Sequence, residues 1–320
     1  RVYETQYLVD GISAQDPLAG TGFGVEVSSG SIGDLQLITG GAGAEFGDGS
    51  SGVITTQIKE GSKTFEIAGN WQTDNFIGLY DGDSQWKTDN VELSFAGPVP
   101  FTNKKVTFFN NVSMNLTDQY FGSTANQLHS SLFSKNDSLW APRYDNKFSH
   151  TFKLAYQIKP GTKLTLTNQH SLAINQNTRS LQIVGFDAIL APGYQWERSL
   201  NLDNATTYTH HSNLTALNLN HFINNNLNLN ISVGRLFTNL RADANGRPFR
   251  AETVDQIYDE ESIVTNPVEL FNPGDSVLFV LPGPGLVNNG GITATWHDHY
   301  VEEYTIKTKF SYYPQIKTHK

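Results

Sequence analysis

The sequence predicts an all-β membrane protein, a transmembrane antiparallel β-barrel wall that follows a small glycine-rich N-terminal domain. Three observations carry that prediction. From Gly61 onward apolar and polar residues alternate with period 2, the pattern of strands with one buried face. The connections between those segments are long and short by turns. Thirteen of the 28 glycines lie in residues 1–61, a density that suits a tightly turned domain.

Composition agrees. Only 38% of the 320 residues are hydrophobic, and the mean hydropathy is -0.37. No window approaches the ~18 apolar residues of a transmembrane helix, whereas a barrel strand needs only ~9–11 residues with one lipid-facing side. The net charge of -9 argues against nucleic-acid binding, which calls for a basic stripe. With no cysteine, disulfides and thiolate metal sites are excluded. Arg1-Val-Tyr-Glu4 has neither the basic nor the apolar region of a signal peptide, and the chain reads as a piece of a longer protein.

In the N-terminal domain, short strands are expected at Tyr7–Asp10, Leu35–Thr39 and Gly52–Lys59, with a helix or turn starting in Val25–Ser29. Eight wall strands follow. Phe65, Ile67, Gly69 and Trp71 share one face of the first, and Val91, Leu93 and Phe95 of the second. Val106, Phe108, Val112, Met114 and Leu116 mark the third; Phe148, Phe152, Leu154, Tyr156 and Ile158 the fourth. Leu164, Leu166, Leu172 and Ile174 define the fifth. The sixth, about 205–223, loses its phase near Ala216, where a β-bulge is expected. Leu227, Leu229, Ile231 and Val233 form the seventh, and Tyr304, Ile306, Phe310 and Tyr312 the eighth.

Short connections fall at 98–104, 159–161 and 224–226, and long ones at about 76–88, 118–146, 175–204 and 241–299. A membrane barrel segregates loop length in this way, with turns on one side and long loops on the outer face. Aromatics near strand ends (Phe65, Trp71, Tyr156, Tyr304, Tyr312) suit an interfacial girdle.

Particular residues then point to a family. Ile32-x-x-Leu35-x-Leu37-x-x-Gly40, Ala44-Glu-Phe-Gly47 and Ser51-Gly-Val-Ile54-x-Thr56-x-x-Lys59-x-Gly61 resemble the C-terminal half of the plug of TonB-dependent outer-membrane receptors. Tyr7-Leu-Val-Asp-Gly-Ile12 resembles the plug strand upstream of it, and the detail is most similar to receptors of Bacteroidetes-type bacteria. The resemblance implies a barrel of about 22 strands, of which this chain holds about eight, with an N-terminal α+β plug domain in the lumen. Residues 1–61 would be the C-terminal part of the plug and 62–320 the first part of the barrel. Gly40, Gly41, Glu45, Phe46, Gly47 and Gly52 would be plug structure near the lumen. Thr39 stands where many members carry Arg or Lys, a departure from the family's pairing of plug arginines with barrel glutamates. Glu66 and Glu92 fall on the polar, lumen-facing side and are the candidate plug–barrel contacts.

Other motifs carry less. Gly47-x-Gly49-x-x-Gly52 has the spacing of a dinucleotide fingerprint, but a strand pattern follows it where a helix is needed. Asp81-Gly-Asp-Ser84 lacks the last carboxylate of a calcium loop. His297 and His299 share a strand face without a visible third metal ligand, and His210 and His211 point to opposite faces. The acids of the N-terminal domain have no nucleophile–base or paired-acid context, so an enzyme is not expected. Neither a metal nor a cofactor is expected.

The function implied is TonB-dependent uptake of a scarce nutrient (siderophore, vitamin, glycan or peptide) across the bacterial outer membrane. Its partners would be the TonB-ExbB-ExbD complex, outer-membrane lipid and a surface lipoprotein. The alternative is a structural or assembly platform for a surface lipoprotein or a secretion or motility complex.

Overall fold

A computed structural model describes residues 5–16, 24–39, 52–73, 88–117, 145–175, 207–243, 270–271, 278–279 and 297–313. Two sheets dominate it. The N-terminal sheet holds β1 (Thr5–Val9), β2 (Ile12–Ser13), β3 (Ile32–Ile38) and β4 (Gly52–Ile58), in the order β2-β1-β4-β3. β1 runs parallel to β4, while β2 and β3 pair antiparallel with their neighbours. Among the described residues a 3-10 turn at Ser29–Ser31 leads into β3, overlapping only at Ser29 the Val25–Ser29 stretch where the sequence suggested a helix or turn.

The wall is an antiparallel meander of eight strands. These are β5 (Glu66–Thr73), β6 (Asp89–Pro98), β7 (Val106–Thr117), β8 (Asp145–Lys159), β9 (Thr162–Asn175), β10 (Thr207–Asn224) and β11 (Leu227–Asp243), with the eighth following a two-stranded ribbon. In that ribbon β12 (Leu270–Phe271) pairs with β13 (Leu278–Phe279). β14 (His297–Tyr312) then pairs with β11 and completes the wall. The wall is open among the described residues, with β5 and β14 at its edges.

Register explains the alternation. Phe108, Leu154, Leu166, Leu217, Val233 and Ile306 form one continuous row across β7, β8, β9, β10, β11 and β14 on the outward face. Leu217 and Val233 are each 43% exposed there, as a surface meant for an apolar medium would be. One residue along, the inward row reads Phe109, Lys153, Thr167, Ala216, Gly234 and Thr305. Further from the short turns the outward face carries polar side chains that pair with one another. His150 and Asn110 lie at 2.8 Å, His170 and His211 at 2.6 Å, and Asn168 donates to Thr215 at 2.9 Å. Polar groups facing an apolar medium need such internal partners.

The principal core lies between the two sheets. Val9, Ile12, Ala14, Val25 and Ile58 pack against Ala96, Phe109, Leu214, Ala216 and Leu236 of the wall's inner face. Burying each large aliphatic side chain contributes about 1.5–3 kcal/mol. This cluster corrects the bulge expected near Ala216. The register runs unbroken there, and the irregularity in β10 lies between Phe222 and Asn224. The sequence lost its phase because Leu214 and Ala216 are apolar on the inward face, where the N-terminal sheet covers them completely.

Candidate functional site

The functional candidate is the seam along which the N-terminal sheet meets the wall. It begins at the β1–β2 hairpin. Asp10 and Gly11 both have positive φ, 46° and 82°, as a two-residue type I′ turn requires. The turn aims the Asp10 carboxylate at the wall. Lys153 of β8 donates to Asp10 Oδ1 at 3.1 Å and to the Ile58 carbonyl at 3.0 Å. Thr167 of β9 donates to Asp10 Oδ2 at 2.6 Å, and the Ile58 N–H donates to Oδ1 at 3.1 Å. Asn218 of β10 donates to the Asp10 carbonyl at 3.1 Å. The side chains of Lys153 and Asp10 are 6% and 5% exposed, so the pair is desolvated and every hydrogen bond offsets part of that cost.

Beside this anchor Ile12 enters a notch in the wall. A Cβ at Gly234 would collide with the Ile12 side chain, and its cross-strand neighbour Ala216 is also small. Gly61, at the covalent junction, likewise lies against the Phe108 backbone with no room for a Cβ. Further along, the Glu26 N–H donates to Ser171 Oγ at 3.1 Å, and His210 Nε2 lies 3.7 Å from Asp16. His210 and His211 do point to opposite faces, inward to Asp16 and outward to His170.

The other flank is built around Glu92 of β6. Its Oε1 accepts from Ser28 Oγ at 2.5 Å, from the Gly30 N–H at 2.8 Å and from Asn111 Nδ2 at 3.1 Å. The 3-10 turn and its N-cap present the first two donors, and β7 the third. Ser28 Oγ also lies 2.7 Å from Asn111 Oδ1, so its one proton is shared between two acceptors. Glu66 accepts from Thr64 at 3.4 Å and lines a cleft of about 460 Å³ with Lys59, Glu60 and Lys153.

Of the residues singled out in the sequence, Gly52 opens β4 opposite Thr5 of β1. Gly40, Gly41, Glu45, Phe46 and Gly47 lie outside the described residues. So do the bulk of the long connections and the Asp81–Ser84 motif. Sequence reasoning missed the Asp10–Lys153 anchor, reading Asp10 as a turn residue and Lys153 as one polar position among many. The only available signal was a lysine on a strand face that also carries Lys147, Ser149, Thr151 and Gln157.

Among the described residues no group of three His, Cys, Asp or Glu is placed to hold a metal ion. The N-terminal sheet is held on the wall by charge, hydrogen bonds and a notch.

A meandering wall whose inner face is occupied by an N-terminal sheet is the fold of outer-membrane transporters. In particular, the structure is similar to the outer-membrane transporter YddB from Escherichia coli, with a TM-score of 0.58 and 14% identity. That similarity covers 97% of this chain and 38% of the transporter, so the chain spans well under half of that protein's length. Weaker likenesses were found to two siderophore receptors of Acinetobacter baumannii. PiuA gives a TM-score of 0.46 at 10% identity over 75% of this chain and 30% of the receptor. PirA gives 0.46 at 12% identity over 78% and 35%. No protein-family model and no curated protein matches the sequence.

Proposed function

We propose that this chain is the gate-and-wall portion of a TonB-dependent outer-membrane receptor that imports a scarce nutrient. In this reading residues 1–61 are the C-terminal part of the plug and 62–320 the first part of the barrel. The segment from Gly40 to Gly52 is plug structure near the lumen, and Glu92 and Glu66 belong to the plug–barrel boundary. The outward row from Phe108 to Ile306 faces outer-membrane lipid. The TonB-ExbB-ExbD complex acts on a segment of the whole protein outside this chain.

One observation carries the reading. The inner face of the wall carries an apolar patch where the N-terminal sheet lies on it, and that sheet brings a buried carboxylate to a buried wall lysine. A wall built so specifically around an occupant needs that occupant in place. A passage of this kind also needs the occupant to move, because a wide barrel is otherwise blocked.

The test is a comparison of nutrient depletion from the medium by cells carrying the whole receptor with or without its TonB-contacting segment. Depletion confined to the intact receptor is expected. Depletion that continues without that segment would sink the proposal.

A further inference from the structure

In one cleft along the seam the charges are divided between the two sides. Beneath the Asp10–Gly11 turn lies a cleft of about 490 Å³ near the short-turn end of the wall. Its cations, Lys153, Lys163, Lys307 and Lys309, all come from the wall. Its carboxylates, Asp10 and Glu60, both come from the N-terminal side of the junction at Gly61. Two cross-strand rows supply the rest of the wall surface. One runs Lys163, Asn220, Asn230, Lys309, and the next runs Thr165, Asn218, Ser232, Lys307.

Both carboxylates are engaged with those lysines. Asp10 holds Lys153, and Glu60 holds Lys163 at 2.5–2.6 Å. In the adjoining cleft of about 460 Å³ both sides carry both signs, with Lys59, Asp34 and Glu60 from the N-terminal side and Lys153 and Glu66 from the wall. At the cleft beneath the Asp10–Gly11 turn the N-terminal side therefore presents the charge opposite to the wall's own.

We propose that the N-terminal sheet masks an anion-conducting surface, and that its departure exposes Lys153 and Lys163 beside Lys307 and Lys309 as the lining of the exit. Leaving with the sheet, Asp10 and Glu60 remove two negative charges, so local charge rises by two as the way opens. A passage lined with one sign of charge concentrates the opposite ion. Lysine with Asn, Ser and Thr supplies donors to carboxylate or phosphate oxygens. The solute class assigned is anionic, carrying carboxylate or phosphate groups. The assignment rests on the gate reading above.

The test uses the full-length protein in a planar lipid bilayer under a KCl gradient. Urea is raised reversibly, below the concentration that unfolds the barrel, to loosen the N-terminal sheet. A closed channel that opens in urea with chloride favoured over potassium by about threefold or more is expected from such focusing. The combined Lys163→Glu, Lys307→Glu and Lys309→Glu variant should favour potassium instead, with heat-modifiable gel mobility confirming a folded barrel. A wild-type current that opens but shows no preference, or prefers potassium, overturns the masking inference and leaves the gate intact. Equal current before and after urea, or none at any concentration, overturns the gate reading itself.

Discussion

The two flanks of the seam hold the same sheet by different physics. On the β8–β10 flank a buried ion pair, Asp10–Lys153, is desolvated on both sides and closed by Thr167 and Asn218. On the β6–β7 flank the charged Glu92 meets only neutral donors from Ser28, Gly30 and Asn111. Breaking the first strands two charges in a low dielectric, whereas breaking the second frees one carboxylate that water can reach. The first flank is thus the latch that holds the sheet more tightly, and the second a weaker hinge beside it.

Lys153→Met tests that asymmetry most severely. It leaves Asp10 buried without its cation and should weaken docking by about 3–5 kcal/mol. Hydrogen exchange at the Asp10–Ile12 amides of the whole receptor should accelerate accordingly. Adding Asp10→Asn to that variant should restore much of the protection, because no charge is then left buried alone and Asn tolerates the positive φ of the turn. Protection unchanged in the single variant would show that the latch carries none of the docking.

Gly234→Val comes next. Filling the notch forces Ile12 out and should cost about 1–3 kcal/mol. Limited proteolysis in detergent should then cut the N-terminal sheet faster, and Ile12→Ala should partly restore resistance in the double variant. Glu92→Gln keeps the shape and some hydrogen bonding but loses the charge, so a cost of about 1 kcal/mol is expected. Its effect on exchange should be confined to the Ser28–Ser31 turn; equal loosening at Asp10 would erase the distinction between latch and hinge. Glu60→Gln should be the mildest, within about 1 kcal/mol and fading as salt is raised, because Glu60 and Lys163 are 40% and 36% exposed.

The wall was legible because its pattern is local. Eight runs of alternating residues place the strands of the meander, and three short connections place its turns. The alternation failed at Leu214 and Ala216, whose inward side chains are apolar for a partner some 200 residues earlier in the chain. A bulge was the local explanation of that lapse; the true cause is tertiary. The latch was illegible for the same reason. Asp10 and Lys153 are 143 residues apart, and each alone looks ordinary, an Asp-Gly turn and a lysine in a polar row. Glu92 was easier to single out, since a carboxylate within an alternating strand has few bland uses.

The absence of cysteine in the chain makes the central claim directly testable. Ile12 is 1% exposed in its notch, so Ile12→Cys places a thiol where a maleimide reaches it only if the sheet leaves the wall. Labelling in intact cells carrying the whole receptor should be slow at rest. It should accelerate when TonB is present and the inner membrane is energised, and return to the resting rate with a protonophore. Labelling at one rate under all these conditions would contradict the gate.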